Sequence, residues 1–200
     1  MFRKAEILSR IELRQSTIKD WLSCPLMFRY RHVLQLAPSY RSLAAIHGSA
    51  LHLCIHRLHF EGFDLDLGLL YARALKEVLE SESHIPIRWK KGVEEDRLIM
   101  LTHAAEILKG YVNHEQNHTS TLMYSEVKFR LRVNGMLLTG TIDQVRRNLD
   151  SSLELIDLKS GMQRPMKHAL QRDWQLNLYA YALRYGEIFI HSSWVRIRMK

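Results

Sequence analysis

The sequence predicts an α+β fold: a helix, a three-stranded antiparallel meander, a further helix and a strand around a central mixed sheet, with a helical insertion ahead of the meander. Three observations carry this. Charged and apolar residues alternate from Glu126 to Val133 and then meet Asn134-Gly135, a dipeptide suited to the two positive-φ positions of a tight hairpin. Apolar residues recur at helical spacing over 42–60, 66–82, 94–118 and 169–185, the pattern of amphipathic helices. A second alternating run ends the chain, with Trp194, Arg196, Arg198 and Lys200 against Val195, Ile197 and Met199, and reads as a final strand over 191–200.

Taken in order, residues 1–15 are basic and weakly amphipathic. Ser16 is the expected N-cap of the first helix, whose apolar face is Ile18, Trp21 and Leu22, because a side-chain hydroxyl there can accept from an orphan N–H. Pro25 starts a second turn, with Met27, Phe28 and Tyr30 expected in the core. The 42–60 helix offers Leu43, Ile46, Ala50, Leu53 and Leu58 to the core, and sets His52, His56 and His59 at i, i+4 and i+7 on one face. No HExxH pattern accompanies them, which argues against zinc; His56 and His59 read as surface or packing residues.

Leu69, Leu70, Ala74, Leu75, Val78 and Leu79 continue the helical spacing, Pro86 and Gly92 interrupt it, and Leu98, Leu101, Ala105, Leu108 and Tyr111 resume it. Between them, Arg88-Trp89-Lys90-Lys91 is a basic loop with an aromatic. It reads equally as a nucleic-acid contact made by stacking and charge or as a solvated turn with one packed tryptophan.

The meander gathers the chemistry. Val127, Phe129, Leu131 and Val133 point one way and Glu126, Lys128, Arg130 and Arg132 the other. The Asn134-Gly135 turn sets Val133 opposite Met136, and counting back sets Glu126 opposite Asp143, with Cβ atoms roughly 5 Å apart. Two carboxylates that close repel unless a cation lies between them. Asp143 also interrupts an apolar stretch, Leu137 to Val145, which argues against a merely solvated face. The third strand is expected over Leu153–Lys159, with Asn148 to Ser152 as the loop, so that Asp143 lies across from Asp157 and Lys159 shares the face of Asp157. Converging carboxylates suit a hard cation, Mg²⁺ or Mn²⁺. In the 169–185 helix, Gln175 and Tyr179 are i and i+4, Arg172 lies one turn earlier on that side, and Trp174, Leu178, Tyr181 and Ala182 are available to pack the opposite side.

Composition bounds the partners. The net charge is +8 over 200 residues and the pI about 9.6, which suits a polyanionic partner without identifying one. Cys24 and Cys54 form neither a disulfide framework nor a metal-binding spacing and fit a reducing, cytoplasmic setting. No apolar run reaches transmembrane length, and no membrane partner is expected.

Gly140-Thr-Ile-Asp143, Asp157-Leu-Lys159 and Gln175-x-x-x-Tyr179, in that order after Gly48-x-x-x-His52, resemble the PD-(D/E)XK nuclease superfamily. Within it the likeness is to the RecB-like exonucleases, which include CRISPR-associated RecB-like enzymes. The triplet alone is a weak signal; the ordered set is specific. The resemblance implies a restriction-endonuclease-like core in a single domain over 1–200, with the insertion at about 61–118 and the catalytic core at about 42–60 and 124–200. It implies that Asp143 and Asp157 hold one or two Mg²⁺ or Mn²⁺ ions with His52 and the main-chain carbonyl of Leu158. Lys159 would place or activate the water, Glu126 would add a ligand or a supporting carboxylate, and Gln175, Tyr179 and Arg172 would hold the substrate strand.

The segment from Ser16 through Trp21 and Cys24-Pro25 to Phe28 also resembles the family's entry segment, where a cysteine often joins three C-terminal ones around an iron–sulfur cluster. Those three are missing here, and a cluster needs four thiolates, so none is expected. The implied activity is metal-dependent hydrolysis of DNA, exonucleolytic, in recombination, repair or defence, on single strands or duplex ends. The alternative is a non-catalytic or partner-activated DNA-binding subunit. A homo-oligomer and a helicase or recombination partner both stay open.

Overall fold

The computed structural model describes residues 13–81, 83–160 and 174–196. In chain order the elements are α1 (Gln15–Ser23), α2 (Pro25–Phe28), a π-turn (Arg29–Val33), β1 (Arg41–Ser42), α3 (Leu43–Glu61), α4 (Leu67–Ser81), β2 (Ile87–Arg88), α5 (Val93–Gln116), β3 (Thr121–Val133), β4 (Met136–Arg147), β5 (Leu153–Ile156), α6 (Trp174–Tyr185), β6 (Glu187–Ile190) and β7 (Ser193–Val195). The chain divides into two compact units: residues 1–37, 121–157 and 164–200 in one, and 38–120 with 158–163 in the other.

The first unit is built on a five-stranded sheet of order β5-β4-β3-β6-β7. Every strand pair in it is antiparallel, which corrects the expected mixed sheet. The chain returns from α6 into β6 running against β3, with Phe129 opposite Ile188. Among the described residues, parallel pairing is confined to a single bridge between Leu13 and Leu138 on the outer edge of β4 and to β1 with β2 in the other unit. The core of the sheet unit is Val127, Phe129, Leu131, Ile142, Val145, Tyr179, Ala182, Leu183 and Ile188.

The β3–β4 register follows the turn chemistry. Asn134 and Gly135 both adopt positive φ, 48° and 81°, and Val133 pairs with Met136. β5 pairs with β4 from Arg147–Leu153 to Gln144–Ile156. Its loop closes through Asn148 and Ser152, the Asn148 N–H donating to the Ser152 carbonyl at 2.9 Å. The third strand ends at Ile156, three residues earlier than expected, so the Asp157-Leu158-Lys159 triplet lies past the strand.

The final strand also needs correction. His191 and Ser192 have φ of 47° and 63°, the twin positive values of a primed hairpin turn. They divide β6 from β7, so the pairing begins at Glu187 rather than at His191. Residues 197–200, the link 161–168 and the start of the expected 169–185 helix lie outside the described residues.

In the first helix the N-cap position is Arg14 rather than Ser16; the Arg14 N–H donates to the Thr17 hydroxyl at 3.3 Å. Phe28 is buried as expected, but Trp21, Leu22 and Tyr30 are exposed, as is Tyr181 on α6. Spacing identifies a face and not what covers it.

The second unit packs α3, α4 and α5 around Ile46, Ala50, Leu51, Cys54, Leu58, Tyr71, Ala74, Met100, Ala104 and Leu108. The Ser42 hydroxyl caps α3 by accepting from the Ala45 N–H at 3.2 Å. The buried stripe of α5 runs through Met100, Ala104 and Leu108, while Leu98 is exposed, a rotation from the expected Leu98–Leu101 face. The basic loop before α5 is a braced turn. The Asp96 carboxylate accepts from the N–H groups of Lys90 and Lys91 at 2.6 and 3.0 Å, and the Arg97 guanidinium covers the Trp89 ring at 5.8 Å. The Lys91 N–H, the largest influence on it, holds the Asp96 carboxyl below the usual carboxylate range.

Candidate active site

The two strands that carry Glu126 and Asp143 bring their carboxylates together. Ser125 pairs with Gln144 and Val127 with Ile142, so Glu126 lies opposite Asp143 in register. A carboxylate oxygen of each lies within 4.8 Å of the other. Asp143 is buried, in a run of buried residues from Ile142 to Arg146. Glu126 has φ of 51°, an unusual conformation for a non-glycine residue inside a strand. Such backbone strain is characteristic of residues held for a purpose other than pairing. It also breaks the alternation that holds from Val127 onward.

Gly140 of the G-x-x-D motif has a local reason. A Cβ at this position would lie 2.6 and 2.8 Å from two atoms of the Phe129 ring, and Phe129 is its partner across the ladder. The ring therefore lies against the backbone of β4 three residues before Asp143. Gly48 of G-x-x-x-H has no comparable need, since among the described residues a Cβ there would meet only the Ser160 Oγ, at 3.4 Å.

The β4–β5 register, extended by one step from Gln144–Ile156, sets Asp157 across from Asp143. A partly buried network holds Asp157 in place. The Gln175 amide nitrogen donates to Asp157 Oδ1 at 2.7 Å and to the Tyr179 hydroxyl at 2.6 Å. The Gln15 amide nitrogen donates in turn to the Gln175 carbonyl at 2.8 Å. An ionised carboxylate only accepts, so Asp157 determines the direction of this chain: the Gln175 NH₂ must face it, and the Gln175 oxygen must face Gln15. Gln175 is thus buried and committed to an acid and a phenol, rather than being an exposed helix former. Burial pushes the Tyr179 hydroxyl up to about 12. The Gln175 hydrogen bond opposes the rise, and the negative charges of Asp143, Asp157 and Glu126 add to it.

In the helical unit, the His52 Nε2 lies 3.1 Å from the Leu158 carbonyl oxygen, so the ring donates there when Nε2 carries the proton. Leu158 packs against that unit's core, and the chain has left β5 by this point. Lys159 follows, exposed. His56 packs against Phe60 at a tilt of 48°, with ring centroids 4.7 Å apart. The His59 Nε2 lies 2.6 Å from the Tyr111 hydroxyl. Both have packing roles. Arg172 lies outside the described residues.

Sequence reasoning missed two features. Gln15 is 160 positions from Gln175, and nothing local marks it. His47 is buried, with its ring nitrogens 2.6 Å from the Tyr71 hydroxyl and 3.0 Å from His103 Nδ1. Helical spacing could have flagged it, since His47 lies one residue from Ile46 and one turn before Leu51 on α3. Burial, with the neighbouring His103 as a lesser cause, pushes its pKa down to about 4. Cys24 is half-buried and Cys54 buried, with burial pushing the Cys54 thiol up to about 12. Among the described residues no helix is long and apolar enough to cross a membrane.

No curated protein matches the chain. The profile of the PD-(D/E)XK nuclease superfamily matches residues 12–193, a span that holds the strained Glu126, the Asp143–Asp157 pair and the Gln175–Tyr179 network, and the chain belongs to this superfamily.

Proposed function

We propose that this protein is a Mg²⁺- or Mn²⁺-dependent deoxyribonuclease of the RecB-like group, acting as an exonuclease in DNA recombination, repair or defence. The observation that carries the reading is the pairing of acids across the sheet: Glu126 and Asp143 bring carboxylate oxygens within 4.8 Å, and Asp157 lies one step beyond the Gln144–Ile156 pair, across from Asp143. The Glu126–Asp143 separation can be bridged, after a small side-chain adjustment, by one hard cation with ligand bonds of about 2.1 Å. The donor set fits Mg²⁺ or Mn²⁺: carboxylate oxygens dominate, and thiolates are absent from it.

Asp143 and Asp157 are the proposed primary ligands; the family likeness adds His52 and the Leu158 carbonyl as candidates. When bound, the ion supplies Lewis-acid polarisation of the phosphodiester and a lowered pKa for water.

The chain's own residues do the rest. Gln175 fixes the rotamer of Asp157 so that its second oxygen faces away from the amide, and Gln15 fixes Gln175. Glu126, held by its unusual backbone, supplies an added or water-mediated ligand. Lys159 orients the attacking water and offsets charge that builds on the phosphate. Tyr179 stays protonated at neutral pH and presents a phenol O–H that can donate to a phosphate oxygen. Because Gln175 is engaged with Asp157, Tyr179 is the better candidate for direct strand contact, with Arg172 as a second. The cytoplasm is the proposed location.

Cleavage of end-labelled single-stranded, linear duplex and circular DNA, with Mg²⁺, Mn²⁺ or EDTA, tests the reading. Metal-dependent loss of the linear substrates only, abolished in Asp157→Ala, is the expected result. Undiminished cleavage by purified Asp157→Ala would sink the assignment. Salt-sensitive binding without any cleavage would favour the non-catalytic or partner-activated alternative.

A further inference from the structure

Strand β3 leaves the carboxylates as a row of cations. Val127, Phe129 and Leu131 are buried, while Lys128 and Arg132 are exposed and Arg130 is half-buried. Alternate residues of a strand repeat at roughly 6.6 Å on one face, a spacing comparable to that of successive phosphates in an extended single strand. The row begins two residues after Glu126 and ends, at Arg132, roughly 20 Å from it.

The same face carries an aromatic pair. Phe189 and Trp194 are partners across the β6–β7 hairpin, with ring centroids 5.3 Å apart, and Phe189 is 41% exposed. The Arg130 guanidinium lies 4.5 Å over the Trp194 ring, which ties the pair to the cationic row. Two hollows flank this stack. One, of about 490 Å³, is lined in part by Arg14, Lys128, Thr141, Tyr179 and Trp194, so it borders Tyr179. The other, of about 340 Å³, is lined in part by Arg130, Arg132, Glu187 and Arg196. Glu187 is the acid of that hollow, and it is bound to Arg130 at 2.6 Å.

We propose, resting on the nuclease reading, that this face of the sheet is the track for one DNA strand. The phosphates lie along Lys128, Arg130 and Arg132, and a base stacks on the Phe189–Trp194 pair. In-line cations at single-strand spacing match one backbone, and a ring can stack only on a base that has left its duplex. Thr141, opposite Lys128 on β4, adds a hydroxyl to the phosphate path. The track carries a strand toward Tyr179 without reading base edges.

Binding of a fluorescein-labelled oligothymidine and of a duplex of equal length, both in EDTA, tests this apart from cleavage. The parent protein is expected to prefer the single strand by about tenfold or more, as base stacking on an aromatic implies. Lys128→Ala with Arg132→Ala should weaken single-strand binding and lower the log–log salt slope by about 1.4, from two lost phosphate contacts. Phe189→Ala should weaken it about tenfold with the slope unchanged. Phe189→Leu, which keeps apolar bulk, should do the same and guards against a folding artefact.

Equal affinity for duplex and single strand, or parental affinity in the variants, overturns the track. Cleavage that fails while this binding pattern holds would sink the nuclease reading instead. Metal-dependent cleavage without the pattern would sink only the track.

Discussion

Each unit of this protein buries a polar network, and the two networks differ in kind. In the sheet unit, Gln175 joins Tyr179 to Asp157, with Asp143 and Glu126 beside the same phenol. In the helical unit, His47 joins Tyr71 to His103. The first gathers carboxylates, with Glu126 and Asp143 within 4.8 Å; the second is made of two imidazoles and a phenol. Buried polar groups are ordinarily hydrogen-bonded whether or not they do chemistry. The network by itself therefore marks nothing, and the sign and density of its charge are what distinguish the proposed metal centre from a packed core.

That contrast can be broken in several ways. The largest effect expected is in the sheet unit: Asp157→Ala should abolish metal-dependent cleavage while leaving the fold intact, checked by single-turnover assays and circular dichroism. Gln175→Leu should lower cleavage about 10–100-fold and raise the Mg²⁺ concentration needed, the usual cost of removing a group that orients a ligand; a metal titration of the rate separates this from lost DNA affinity. Gly140→Ala should destabilise by about 1–3 kcal/mol through overpacking against the Phe129 ring, read by urea unfolding.

The helical unit should behave differently. Tyr71→Phe removes a partner of buried His47 and should cost about 1–3 kcal/mol of stability with cleavage per folded molecule unchanged. A comparable loss of activity in Tyr71→Phe would erase the distinction between the units.

The pH dependence sharpens it further. His47 is held down to about 4 in the folded chain, against about 6.5 when unfolded. Between those values the unfolded chain binds the extra proton, so stability rises with pH. This contribution is fully present above about pH 6.5 and is lost as pH falls toward 4. Unfolding measured at pH 7, 6 and 5 should show the decline, and His47→Gln should flatten it. The smallest effect belongs to Gly48→Ala, which meets only Ser160 Oγ at 3.4 Å. It should stabilise α3 by up to about 1 kcal/mol.

Much of the sheet was legible because its signals are local. The alternation from Val127 and the Asn134-Gly135 turn determine the β3–β4 register, since a two-residue turn admits few pairings. That register in turn sets Glu126 against Asp143. The end of β5 was not legible. Leu155 and Asp157 continue a period of two, but the Asp157 side chain is bound to Gln175 and the Leu158 carbonyl faces His52. The primed turn at His191-Ser192 was also hidden, because neither residue belongs to the Asn-Gly type that favours positive φ. Exposure of Trp21, Leu22, Tyr30 and Tyr181 shows the same limit for helices: spacing gives a stripe and leaves its cover undetermined.

The sequence by itself thus determined the helices, the hairpin and which acids share a register, because each depends on residues a few positions apart. Only tertiary structure decided that Gln175 serves Asp157, that Gln15 reaches across 160 positions to hold it, and that His47 faces inward. These contacts depend on how distant segments meet, and a hydrogen bond is settled by geometry within about 3 Å, which no local pattern encodes.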